Sequence, residues 1–187
     1  MRRLSFRPAL TFRGRTFKGL RGFAGKPLHP PLTDIPVGAY MIAAVLDVIS
    51  IVGQDEKWAR DFFRAATFVL ISGAAVSLLT AATGFWDWLR STEAGTQVRR
   101  EANAHALTMI TVTVLVLTNI GLRTLAYGGD RHSGVVVVVL SLVAAALTVL
   151  GGTLGGSLVY DYGFNVETAG DHPAYHRSEA DVFPGKK

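Results

Sequence analysis

Four long apolar stretches, Val37–Val52, Phe62–Phe85, Ala104–Tyr127 and Val135–Tyr160, limit what this chain can fold into more than any other feature of it. The hydrocarbon core of a bilayer is roughly 30 Å thick, so a helix rising about 1.5 Å per residue needs about 20 apolar residues to cross it. The second, third and fourth stretches reach that length. The first is short and must lean on flanking residues or thin the bilayer locally. Lipid offers no water to backbone N–H and C=O groups, so even the β-branched run Val135 to Val139 is expected to be helical. The expected fold class is therefore all-α: a polytopic four-helix transmembrane bundle with short loops and spans at about 36–53, 62–88, 104–127 and 135–160. A basic tail, residues 1–27, precedes this 28–166 domain, and residues 167–187 form a second tail; 187 residues leave no room for another globular unit.

Charge sets the expected orientation. Eight Lys and Arg and no acid fall in the 1–27 tail before the first span, and Arg90, Arg99 and Arg100 lie between the second and third, so most of the 19 basic residues fall on one side. By the positive-inside rule that side is cytoplasmic, which puts both termini inside a bacterial plasma (inner) membrane. The net charge of +5 then reflects topology, and no nucleic-acid partner is implied. Arg2-Arg3 opens the chain like a twin-arginine signal, but Arg13, Arg15, Lys18 and Arg21 interrupt any apolar region behind it, so no cleaved signal is expected. Phe6, Leu10, Phe12, Phe17, Leu20 and Phe23 alternate with these arginines, which suits either a segment lying on an anionic leaflet or a disordered basic tail. The absence of cysteine excludes disulfides, iron–sulfur ligation, covalent haem attachment and thiol catalysis.

The spans carry their own packing and boundary cues. Gly84 and Phe85-Trp86-Asp87-Trp88 are expected to end the second span at the inner interface, with Trp58 at the outer one, because indole is stable at headgroup depth. In the fourth, Gly151 pairs with Gly155 and Gly152 with Gly156 in two overlapping small-xxx-small stripes. Such stripes allow close backbone approach, by a neighbouring helix of the same protomer, a flat cofactor or a second copy of the chain.

Ionisable groups in or beside hydrocarbon are costly and are usually paired or functional. Here they form two layers. Asp47, Asn119 and Arg123 make the outer one, where an Asp47–Arg123 pair keeps both groups charged in a structural role. His29, Asp34, Asp87, Asn103, His105, Tyr160 and Asp161 make the inner one. Asp34 before Pro36 and Asn103 suit helix capping. Two histidines arriving at one depth from different spans are not explained by capping. Imidazole ligates haem iron or a divalent metal, so His29 and His105 are candidate haem b ligands, with Asp34 and Asp87 as the groups that would orient their rings through the second nitrogen. Quinone contact and a purely structural role are the other readings. His172 and His176 are separated by Pro173 in an acidic tail, and His132 lies in a short loop; neither is a favoured site.

Four blocks also carry a resemblance: residues 25–38 (Gly-Lys-Pro-Leu-His-Pro-Pro-Leu-Thr-Asp-Ile-Pro-Val-Gly), Thr83 to Trp88, Ala104 to Leu107, and Leu154 to Tyr160. In order and spacing they resemble the bacterial membrane family called domain of unknown function 2231, over roughly residues 25–166. The resemblance implies the four-helix unit, which similar members carry ahead of a Rieske iron–sulfur domain, and hence an association with membrane electron transfer. This chain has no cysteine to hold such a cluster, so a Rieske partner would be a separate polypeptide. Asp34 stands where other branches carry a histidine, which removes one ligand from a metal site inferred from those branches.

The expected function is thus a small haem-binding or electron-transfer-associated membrane module, its partners being the bilayer and a separate redox protein or larger complex. The alternative is a non-enzymatic structural or accessory subunit that packs through the glycine face of the fourth span, including against its own copy. A hydrolase is disfavoured, since no activated Ser, Thr or Lys constellation is visible, and a transporter is disfavoured by the lack of an inverted repeat.

Overall fold

The computed structural model describes residues 19–22 and 27–166. The alternating aromatic and basic residues up to Lys18, and His172 and His176, lie outside the described residues. Four helices follow one another: α1 (His29–Gly53), α2 (Lys57–Ser91), α3 (Gln97–Leu125) and α4 (Val135–Tyr160). All four are long and apolar enough to cross a membrane, and no strand forms among the described residues. The chain is an all-α membrane protein.

Three boundaries differ from the sequence expectation. Helix α1 begins at His29 and runs for 25 residues, so the first span is not short. Pro30 and Pro31 sit in its first turn, where no intrahelical N–H is required. Pro36 is interior, and its missing N–H frees the Leu32 carbonyl; Thr80 Oγ1 of α2 donates to that oxygen at 3.1 Å. A neighbouring hydroxyl thus restores the bond that proline removes, which is how membrane helices tolerate it. Helix α2 continues past Gly84 and the Trp86/Trp88 cluster to Ser91, because an aromatic belt marks a depth and does not break a helix. Helix α3 starts at Gln97, capped by Thr96 Oγ1, which accepts from Arg99 N at 3.2 Å. Asn103 and Asp34 therefore lie within helices and cap neither; Asn103 Oδ1 instead accepts from Trp88 Nε1 at 2.7 Å, while the Arg99 guanidinium lies over the Trp88 ring.

The helices form a ring. α1 packs against α2, α2 against α3, α3 against α4 and α4 against α1, while the diagonal pairs α1/α3 and α2/α4 make no close backbone approach. Tyr40, Ala43, Leu70, Ala74, Val112, Val116 and Ala144 fill the centre. Their small average size lets four backbones converge, which matters where lipid supplies no hydrophobic drive between helices. We call the end at which the chain enters α1 proximal and the other end distal.

Candidate functional site

The apolar centre separates two polar layers of opposite character. The distal layer is closed on itself. Asp47 and Arg123 are 0 % and 1 % exposed and pair directly, Arg123 Nη2 donating to Asp47 Oδ2. Ser133 Oγ donates to Asp47 Oδ1 at 2.7 Å and Ser141 Oγ to Oδ2 at 2.5 Å. Arg123 Nε donates to Asn119 Oδ1 at 2.7 Å and Nη1 to Thr67 Oγ1 at 3.3 Å. Asn119 Nδ2 donates to Val137 O at 3.0 Å and Ser141 Oγ at 2.8 Å. Every helix and the α3–α4 connection contribute to this network, and it contains no open valence at which a ligand would be expected.

The proximal layer is built differently. His29 of α1 and His105 of α3 reach across the diagonal of the ring until their ring centres are 6.4 Å apart, with planes at 86°. His29 Nδ1 lies 2.9 Å from Thr80 O and 3.3 Å from Thr83 Oγ1. His105 Nδ1 lies 2.8 Å from Gly151 O. A carbonyl oxygen only accepts, so each Nδ1 carries the hydrogen and donates it. Nε2 is then the basic nitrogen of both rings, the arrangement in which metal-bound histidines are commonly held. A glycine makes each approach possible: a Cβ on Gly84 would lie 2.6 Å from His29 Cε1, and one on Gly155 would lie 3.1 Å from His105 Cε1.

The carboxylates take other places. Asp34 is exposed on α1. Asp87 is buried at the proximal end of α2, where its Oδ1 accepts the Leu20 backbone N–H at 2.9 Å. The hydrogen bonds at the imidazole Nδ1 atoms go to backbone carbonyls and the Thr83 hydroxyl, because the glycine positions bring the rings within reach of the neighbouring helix backbone. Thr80, Thr83 and Gly84 were therefore missed as parts of this layer. The signal for them was present as a Thr and a Gly four residues apart on one face of α2, but Gly84 reads as a helix terminator when its neighbours are unknown.

The glycine stripes of α4 separate. Gly151 and Gly155 face α3, meeting Met109 and His105, whereas a Cβ on Gly152 would meet nothing within 4 Å and one on Gly156 only its own helix's Tyr160. Gly84→Ala is expected to force the His29 ring off its carbonyl, an overpacking cost of roughly 1–3 kcal/mol. Gly155→Ala, with more room, should cost less. Thermal unfolding in detergent gives the order; an equal or larger loss for Gly155→Ala would contradict the geometry.

As to what these two imidazoles can hold, two histidine nitrogens are a donor pair that would serve a metal centre. No group of three or more His, Cys, Asp or Glu suited to a metal ion exists among the described residues. A tetrapyrrole supplies four equatorial nitrogens of its own and needs only two axial protein ligands, so the donor set fits that class of group. Comparison with known proteins gives one match: the model of a family described as a predicted membrane protein (DUF2231) covers residues 25–168. No curated protein and no solved structure matches.

Proposed function

This chain belongs to the DUF2231 family of predicted membrane proteins, and from that premise we propose that it is a small electron-transfer module holding a b-type haem between His29 and His105. The observation that carries the reading is the contrast between the two polar pairs. Asp47 and Arg123 satisfy each other and their neighbours, so they need no ligand. Two imidazoles whose Nδ1 hydrogens are committed to backbone carbonyls lie with ring centres 6.4 Å apart, and each keeps Nε2 for a ligand. A metal centre accepting both is the simplest completion. When bound, haem would supply reversible one-electron transfer. The protein's part is to fix the Nε2 donors by the Thr80 and Gly151 carbonyls, to hold both rings against glycine, and to keep the site at one end of an apolar bundle. The basic loops favour a proximal end facing the cytoplasm of a bacterial plasma membrane, where a separate redox protein would exchange the electron.

The test is a reduced-minus-oxidised absorption spectrum of protein purified in mild detergent from haem-replete cells. A sharp b-type band near one haem per chain supports the reading; a flat spectrum from folded protein rejects it.

A second reading is favoured by the outward stripe of Gly152 and Gly156, which no other helix among the described residues meets. In it the chain is an accessory subunit whose α4 packs on a partner helix or a second copy. Gly152→Leu combined with Gly156→Leu would then dissociate the assembly without unfolding the protomer. Unchanged size on gel filtration would remove this reading.

A further inference from the structure

The proximal histidines and the distal ion pair occupy matching places in two halves of the molecule. One shift of 76 residues carries His29 to His105 and Asp47 to Arg123. The same shift carries the buried Pro36, Tyr40 and Ala43 of α1 to the buried Val112, Val116 and Asn119 of α3. A second constant shift carries Gly73, Ser77, Thr80 and Asp87 of α2 to Ala144, Thr148, Gly151 and Leu158 of α4, all of them buried. It also carries Gly84 to Gly155, the two glycines on which the histidines rest. In each half the imidazole of the first helix donates to a carbonyl of the second helix, four residues ahead of that glycine. Amphipathic patterning alone would repeat burial, but it would not repeat a histidine, the acceptor carbonyl and the glycine in register.

We propose that α1–α2 and α3–α4 are two copies of one helical hairpin related by an approximate two-fold axis along the bundle, and that each copy is an equivalent half-site for a planar tetrapyrrole held across that axis. This rests on the haem reading for the identity of the ligand. Repeats related by an axis along the membrane normal are an established way of building membrane proteins. α1 and α3 then run in the same direction and lie diagonally, as the ring of contacts requires. The two half-sites face each other across that axis, and the hairpins meet along a seam formed by α2 with α3 and α4 with α1. The sparsest helix contact in the bundle, α2 with α3, lies on that seam. The distal layer breaks the symmetry: like charges at Asp47 and Arg123 would repel, and the opposite pair in their place locks the two hairpins together.

The test uses the full-length chain in detergent from haem-replete cells. His29→Met and His105→Met each convert one axial ligand to a thioether, which raises the potential. Equivalent half-sites give both variants the same altered spectrum and the same upward shift. A variant pair in which one keeps the wild-type band and the other loses haem would overturn the proposal. The repeat is read separately from the ligand, at exposed sites. The chain has no cysteine, so spin labels attach only at introduced ones. Met41→Cys with Leu78→Cys, and Leu117→Cys with Val149→Cys, occupy matching exposed positions in the two hairpins. Equal label–label distances in both pairs support the repeat, and unequal distances overturn it whatever the spectrum. Equal distances together with a flat wild-type spectrum would keep the hairpin repeat and reject haem as the ligand.

Discussion

Arg123→Ala is expected to destabilise the bundle by about 3–5 kcal/mol, the usual consequence of leaving one member of a buried ion pair without its partner. The effect is large here because Asp47 is fully buried and would keep only the hydroxyls of Ser133 and Ser141. Asn119 Oδ1 would lose its donor as well. Asp47→Ala should be as severe, since it strands a guanidinium in the apolar interior. Replacing both, as Asp47→Leu with Arg123→Met, should recover a good part of the loss, because no uncompensated charge remains. Recovery would be incomplete, since the Ser133 hydroxyl donates to Asp47 alone in the structure. Unfolding by titration of mixed micelles with a denaturing detergent measures all four proteins. Wild-type stability for Arg123→Ala would show that the pair is not what holds the distal end together.

If the proposed haem is bound, His29→Ala and His105→Ala are each expected to remove its sharp b-type absorption band while leaving the bundle folded. Loss of a group that merely orients a metal ligand costs about 10–100-fold in affinity, so loss of the ligand itself should cost at least that. Folding should survive because both rings are only half-buried and their removal leaves a space at one end of the bundle, away from the central core. Asp34→Asn serves as the control: the residue is exposed, so the band should be unaffected. Haem content per folded protein, measured alongside circular dichroism, separates the outcomes. A band that persists in His105→Ala at wild-type intensity would exclude this residue as an axial ligand.

The two layers differ in how far they could be read before the fold was known. Asp47 and Arg123 are conspicuous because charge inside an apolar run needs a partner, and each was the natural partner of the other. Ser133 and Ser141 carry no such mark, since a serine in or beside a membrane helix is unremarkable until a neighbour needs its hydroxyl. His29 and His105 stand out in the same way as the charges, but their orienting groups do not. Side chains announce themselves in a sequence, whereas the carbonyls of Thr80 and Gly151 belong to the backbone, and every residue has one. The start of α1 was hidden for a related reason: Pro36 argues against a continuous helix unless a donor such as Thr80 is known to cover the freed carbonyl.

The amino-acid sequence by itself determined four apolar helices, their approximate positions, and the polar groups that would have to find partners among them. Those follow from hydrogen bonding in a medium without water and from the cost of charge in hydrocarbon, which depend on composition and run length alone. Tertiary structure decided which groups meet. It brought His29 and His105 together across the diagonal of the ring, and turned Gly151 and Gly155 inward and Gly152 and Gly156 outward. The rotation of each helix about its own axis selects which of several polar or small residues faces the centre, and that rotation is fixed by packing among all four helices, a property no single segment carries.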